Sequence, residues 1–122
     1  MNQPTMTILY VEDPTASAGF YEKLLGKPPL EASPGFAMFE LNPAAMLGLW
    51  RRSAVVPAAT PAGGGEIAVT AADAAAVDAM HRDWKARGIE IAQPPADMDF
   101  GRTFVGLDPD RHRLRVFAPV RP

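Results

Sequence analysis

The segment FGRTFVGLDPDRHRLRVFAP, residues 100–119, gathers side chains able to do chemistry. Asp108 and Asp110 are carboxylates, His112 is an imidazole, and Arg113 and Arg115 place two guanidinium groups in one strand-like run. Carboxylates and imidazoles ligate metals or move protons. Guanidinium groups do neither at working pH; they bind carboxylates and phosphates and lie against aromatic rings. Three occupants are therefore open for this end of the chain: a metal ion, an anion, or a flat aromatic molecule. A second set of residues is aromatic and soft: Tyr10, Met46, Trp50, Phe100 and Phe117, with Gly48 two residues before Trp50. Such rings stack on flat ligands, and methionine adapts its shape around them. The chain has no cysteine, which excludes disulfides, thiolate catalysis and cysteine-ligated zinc.

These residues sit within a repeating pattern of strands and helices. TILYV (7–11) is β-rich, and Asp13-Pro14 reads as a helix N-cap with proline at the first helical position. Phe20, Leu24 and Leu25 give that helix its apolar face, and Gly26 stops it. Strands are expected near FAMFEL (36–41) and MLGLW (46–50), joined through Asn42-Pro43. EIAVTA (66–71) opens a second round. Asp73 caps a helix striped by Val77, Met80 and Trp84, and Gly88 ends it. A short strand IEIA (89–92) stops before Pro94-Pro95, and ADMDFGR (96–102) reads as a loop entering the strand RTFVGL (102–107). The turn DPDR (108–111) and the strand RLRVF (113–117) follow. Asp13 and Asp73 hold matching places, as do Gly26 and Gly88.

The expectation is an α+β fold of two βαβββ modules within one domain, 1–122: module one 5–52, a Pro/Gly-rich flexible linker 53–65, and module two 66–118. The helices would cover one sheet face and leave the other free to hold a ligand.

Composition narrows the partners. With 48% hydrophobic and 21% charged residues, the chain has the make-up of an ordinary globular protein. A net charge of −2 argues against nucleic acid, since phosphate binding requires a basic excess. No apolar run approaches the roughly 20 residues that span a bilayer. MNQPTMTILY lacks the layout of a signal peptide, so the cytoplasm is the expected compartment and no membrane partner is expected. PAGGGE (61–66) lacks the Lys-Ser/Thr of a phosphate loop, and there is no Gly-x-Ser-x-Gly elbow.

DPTASAGFYEKLLG (13–26) resembles the first helix of the glyoxalase/bleomycin resistance/dioxygenase superfamily, the vicinal oxygen chelate fold. LDPDRHRLRVF (107–117) resembles its closing turn and strand, with Arg111 where the family usually has glycine. The resemblance covers essentially the whole chain. DFGRTFVGLDPDRHRLRV (99–116) with MLGLW (46–50) is most similar to the phenazine antibiotic resistance proteins of that superfamily, which bind flat aromatic antibiotics without transforming them. The resemblance implies a homodimer, domain-swapped or with paired modules, and clefts built from both chains.

Metal-dependent members place ligands on four strands. By that resemblance, the matching positions here are Met6, Glu66, Arg115 and a fourth near Gly48 or Trp50. A thioether suits the hard or borderline ions of such enzymes poorly. A guanidinium cannot ligate, and one carboxylate makes a poor site. Glu66 and Arg115 would instead pair with each other, meet an anionic group of a ligand, or reach solvent.

Strand alternation assigns the open faces. Thr7, Leu9, Val11, Leu47 and Leu49 should meet the first helix. Met6, Ile8, Tyr10, Met46, Gly48 and Trp50 should face the cavity, with Glu66, Ala68, Thr70, Arg113, Arg115 and Phe117 doing so in the second module. Gly48 would open room beside the Trp50 indole. Trp50 itself either touches ligand or fills a dimer interface, whereas Trp84 belongs to the core. Phe100 and Gly101 would border the cavity, and Asp99 or Arg102 would offer hydrogen bonds unless this is plain turn chemistry. His112 is expected to be exposed or capping, and His81 to lie on the surface.

The function expected from these residues is metal-independent binding and sequestration of a hydrophobic planar aromatic molecule, an antibiotic of phenazine type. The ligand set would be Trp50, Tyr10, Met46, Gly48, Glu66, Phe100, Gly101, Arg115 and Phe117, with no catalytic residue, metal or cofactor. The alternative is a metal-dependent lyase, isomerase, dioxygenase or thiol transferase of the same superfamily.

Overall fold

The computed structural model describes residues 5–61 and 64–120. The first residues of the signal-peptide reading and residues 62–63 of the linker lie outside them. The chain divides into two compact units, Met1–Ala62 and Gly63–Pro122.

The first unit runs β1 (Met6–Val11), α1 (Pro14–Leu25), β2 (Glu31–Ala32), β3 (Phe36–Asn42) and β4 (Ala45–Arg51), ending in a 3-10 turn at Arg52–Ala54. Its sheet has the order β1-β4-β3-β2, with β1 parallel to β4 and the other pairs antiparallel. Asp13 is extended and accepts from the Thr15 amide, and Gly26, at φ 74°, closes α1 in the left-handed region.

The buried line of α1 is Pro14, Ser17, Ala18 and Tyr21, not the expected Phe20, Leu24 and Leu25, which are half-buried. Small side chains at 17 and 18 let the helix approach the sheet, so the centre of its buried stripe falls on Tyr21, against Phe39. Below it Val11, Ala37, Phe39, Leu47 and Leu49 are fully buried. Helix α1 packs on β2, β3 and β4. The edge strand β1 is therefore covered chiefly at Val11. Thr7, expected against the helix, is exposed, and Leu9 is half-buried.

The second unit repeats the plan: β5 (Glu66–Thr70), α2 (Ala74–Ala86), β6 (Ile91–Met98), β7 (Gly101–Leu107) and β8 (Arg113–Pro119). Its order is β5-β8-β7-β6, with β5 parallel to β8. Position for position this matches the first sheet, so the layout is two βαβββ modules in an α+β fold. Asp73 accepts from the Ala76 amide at the start of α2. Val77 and Trp84 are buried, and Trp84 meets Phe104 edge to face at 5.0 Å.

Two expectations fail in their details. Strand β6 runs through Pro94-Pro95 to Met98, where a break and then a loop were expected. It is an edge strand bonded only to β7, and an edge tolerates proline's missing N–H; the register shifts between Gln93 and Ala96. The start of the linker is also more ordered than its composition implies. Arg52–Ala54 form a turn, and Val55 is 6% exposed. Among the described residues, no helix is long and apolar enough to cross a membrane.

Candidate functional site

In each unit a helix covers one face of the sheet. The candidate residues lie on the other.

On the first sheet, parallel pairing sets Met6 beside Met46, Ile8 beside Gly48 and Tyr10 beside Trp50. Antiparallel pairing adds Phe36 beside Trp50 and Met38 beside Gly48. Tyr10 and Trp50 meet edge to face at 6.2 Å. Met6 is 40% and Ile8 44% exposed. This is the predicted face, with one correction. Gly48 does not open room beside the indole: a Cβ there would lie 3.1 Å from the Phe36 ring and 3.4 Å from Ile8, so the space holds Phe36. Phe36 went unassigned in the sequence, although its alternation with Met38 and Glu40 in FAMFEL was signal enough.

On the second sheet Glu66 and Arg115 meet. Arg115 Nε donates to Glu66 Oε1 at 2.8 Å and Nη2 to Oε2 at 2.9 Å, a two-pronged contact. Nη1 donates to Thr103 Oγ1 at 3.1 Å and reaches Gln93 Oε1 at 3.5 Å. Thr103 is fully buried, and its hydroxyl donates to the Val116 carbonyl. Of the three fates open to this pair in the sequence, the structure shows mutual pairing. The hydrogen bonds from Arg115 hold the Glu66 carboxyl below its ordinary range against the opposing effect of burial, and the charges of Arg115 and Arg113 add to the lowering. The same hydrogen bonds raise Arg115. Thr103 and Gln93 were missed; period two along β7 places Thr103 on this face, but the irregular register of β6 hid Gln93.

Phe100, 43% exposed, meets Phe117 edge to face at 6.1 Å, and the Arg115 guanidinium carbon lies 5.8 Å from its ring centre. Gly101 is explained by the backbone. Its φ is 140°, and a Cβ would collide with the Ala118 carbonyl oxygen. Arg102 is engaged elsewhere, by Asp78 of α2 at 2.8 Å and Asp97 at 3.0 Å, so it is not a free donor for a ligand. A cleft of about 380 Å³ at the start of α2 touches Asp73, Met98, Gly101, Arg102 and Ala118.

The histidines also depart from expectation. The His112 side chain is only 18% exposed, and its Nδ1 lies 2.8 Å from Oδ2 of Asp108, whose side chain is fully buried. Asp108 also accepts from the Asp110 and His112 amides, which ties the turn together. His81 is half-buried against Phe104 rather than on the surface.

The resemblance drawn from the sequence implies a metal in some family members, and the donor chemistry of the matching positions here does not fit one. Met6 offers a thioether. Arg115 is a cation, and its hydrogen bonds already occupy both oxygens of Glu66. Neither Gly48 nor Trp50 supplies a ligand.

Comparison with known proteins identifies the family and fold. Residues 3–116 match the Glyoxalase/Bleomycin resistance protein/Dioxygenase superfamily. The chain is 28% identical over 116 residues to the phenazine antibiotic resistance protein EhpR of Enterobacter agglomerans, covering 93% of this chain and 89% of that one. A protein of Agrobacterium tumefaciens solved by NMR is 48% identical, covering 99% of this chain and all of that one, with a TM-score of 0.89. A glyoxalase/bleomycin resistance protein/dioxygenase from Nocardioides is 30% identical, covering 99% of this chain and 87% of that one, with a TM-score of 0.80. The chain belongs to the Glyoxalase/Bleomycin resistance protein/Dioxygenase superfamily.

Proposed function

We propose that this chain binds and sequesters a hydrophobic, planar aromatic small molecule of phenazine type, without a metal and without breaking a bond, and so confers resistance to it. One observation carries the reading: Arg115, at a family metal position, is locked to Glu66 on a face that also presents Phe100 and Phe117. A cation bonded to the one carboxylate among the family's metal positions leaves no ligand set there, whereas rings and methionines offer stacking and burial. The similarity to EhpR supports the same reading. A cytoplasmic homodimer is the proposed form. Met6 and Ile8, exposed on the open face of the first sheet, are the kind of surface that association buries.

A tryptophan-fluorescence titration against planar aromatics tests this, on protein purified without chelator and analysed for metal. Trp50→Phe is the control, since Trp84 is buried and reports the fold. Saturable quenching that is unaffected by EDTA and lost in Trp50→Phe supports sequestration. Near-stoichiometric metal with no response overturns it in favour of a metal-dependent enzyme.

A further inference from the structure

We propose that Glu66 sets the charge accepted by the open face of the second sheet, masking Arg115 so that the face takes uncharged planar aromatics in preference to carboxylated ones. This rests on the binding reading above and names the ligand class that reading selects.

A guanidinium has five N–H donors in one plane. In Arg115, Nε and Nη2 point into the Glu66 carboxylate, and Nη1 is shared between Thr103 and Gln93. Glu66 fills the Nε/Nη2 edge, and Thr103 and Gln93 engage Nη1 of the other. An incoming anion that takes the two-pronged edge must displace Glu66, which sits on the neighbouring parallel strand, two residues before the Ala68 that pairs with Arg115. That exchange trades one charge-assisted pair for another and adds the cost of freeing a carboxylate beside the ligand.

The pair stays partly open, with the Arg115 and Glu66 side chains 18% and 31% exposed, and Phe100 and Phe117 lie beside it. Flat plates and rings hold an aromatic by stacking, which needs no ligand charge. The lowered Glu66 carboxyl keeps the mask ionised at neutral pH. Arg113 is the other cation of this face. It is exposed, lies opposite Glu66 in register, and its charge adds to the lowering of the Glu66 carboxyl.

The test uses the full chain and a matched pair of probes, phenazine and its monocarboxylate, at about pH 8, where a carboxylic acid is ionised. Dissociation constants come from fluorescence quenching, checked by equilibrium dialysis. The wild type should bind phenazine at least about tenfold more tightly than the carboxylate. Glu66→Gln, which keeps the shape and removes the charge, should shrink that ratio about tenfold or invert it. Arg113→Gln, which removes a cation from the same face, should not shrink that ratio, since losing a positive charge disfavours the carboxylate.

A wild type that binds the carboxylate as tightly as phenazine overturns the proposal while the binding reading stands. So does a Glu66→Gln ratio equal to wild type, or an equal shift in Arg113→Gln. A wild type that binds neither probe overturns both. The wild-type ratio needs no variant, so misfolding of Glu66→Gln would not shield the proposal.

Discussion

The Trp84 ring lies over Gly106 so closely that a Cβ on the glycine would sit 2.8 Å from two carbons of the indole. Helix α2 reaches its packing distance on β7 because residue 106 has no side chain. Gly106→Ala should therefore destabilise the protein by about 1–3 kcal/mol, the usual range for overpacking a filled core. Urea denaturation of the variant would show a lower midpoint with an unchanged slope.

Gly101 and Gly48 separate two reasons for a glycine. At Gly101, with φ 140°, an added Cβ meets the backbone oxygen of Ala118, which cannot swing away. Gly101→Ala should cost at least about 2–3 kcal/mol or prevent folding. At Gly48 the neighbour is the far end of the Phe36 ring at 3.1 Å, which has freedom to tilt. Gly48→Ala should cost less, about 1 kcal/mol. Thermal melts of both variants check the order.

Arg111 holds φ 69° in the turn after Asp108. A side chain in the left-handed region costs about 1–2 kcal/mol, and glycine avoids most of that at an entropic cost of roughly 0.5–1 kcal/mol. The pair Arg111 forms with Glu90 at 3.2 Å is exposed on both sides and contributes little. Arg111→Gly should therefore stabilise the protein by about 0.5 kcal/mol. An unchanged or lower melting temperature would show that the Glu90 pair outweighs the strain.

The Glu66 carboxyl is lowered from 4.5 by its bonds to Arg115. A depressed folded-state value adds stability that is fully present above the unfolded value and fades as pH falls through the folded one. Wild type should exceed Glu66→Gln in stability at pH 7. The gap should close below about pH 4.5 as the carboxyl protonates. Denaturation midpoints of the two proteins from pH 7 to about pH 3 measure it; a gap that persists at the acid end would show that the difference is not the ion pair.

Asp13, Gly26, Asp73 and Gly88 mark the two helices, because caps and stops are local chemistry written within four residues. Alternation placed Tyr10 and Trp50 on one face and Leu47 and Leu49 on the other, because a strand's side chains turn over every residue. Strand β6 was less legible. Its prolines read as a break, and only its place at the edge of the sheet makes them harmless. Tyr21 was overlooked for Leu24 and Leu25, since hydrophobicity along a helix does not show how deeply Ser17 and Ala18 let it sink.

The repeat, the family and the residue types at the family's metal positions are legible in the amino-acid sequence, because all of them are matters of identity and spacing along one chain. What those residues do follows from the packing of the folded chain. That Arg115 gives two donors to Glu66 and a third to Thr103, and that Phe36 fills the space above Gly48, depends on which strands lie side by side and in what register. Hydrogen bonds and ring contacts between residues remote in the chain depend on ångström-scale distances that the pattern of a single strand does not carry.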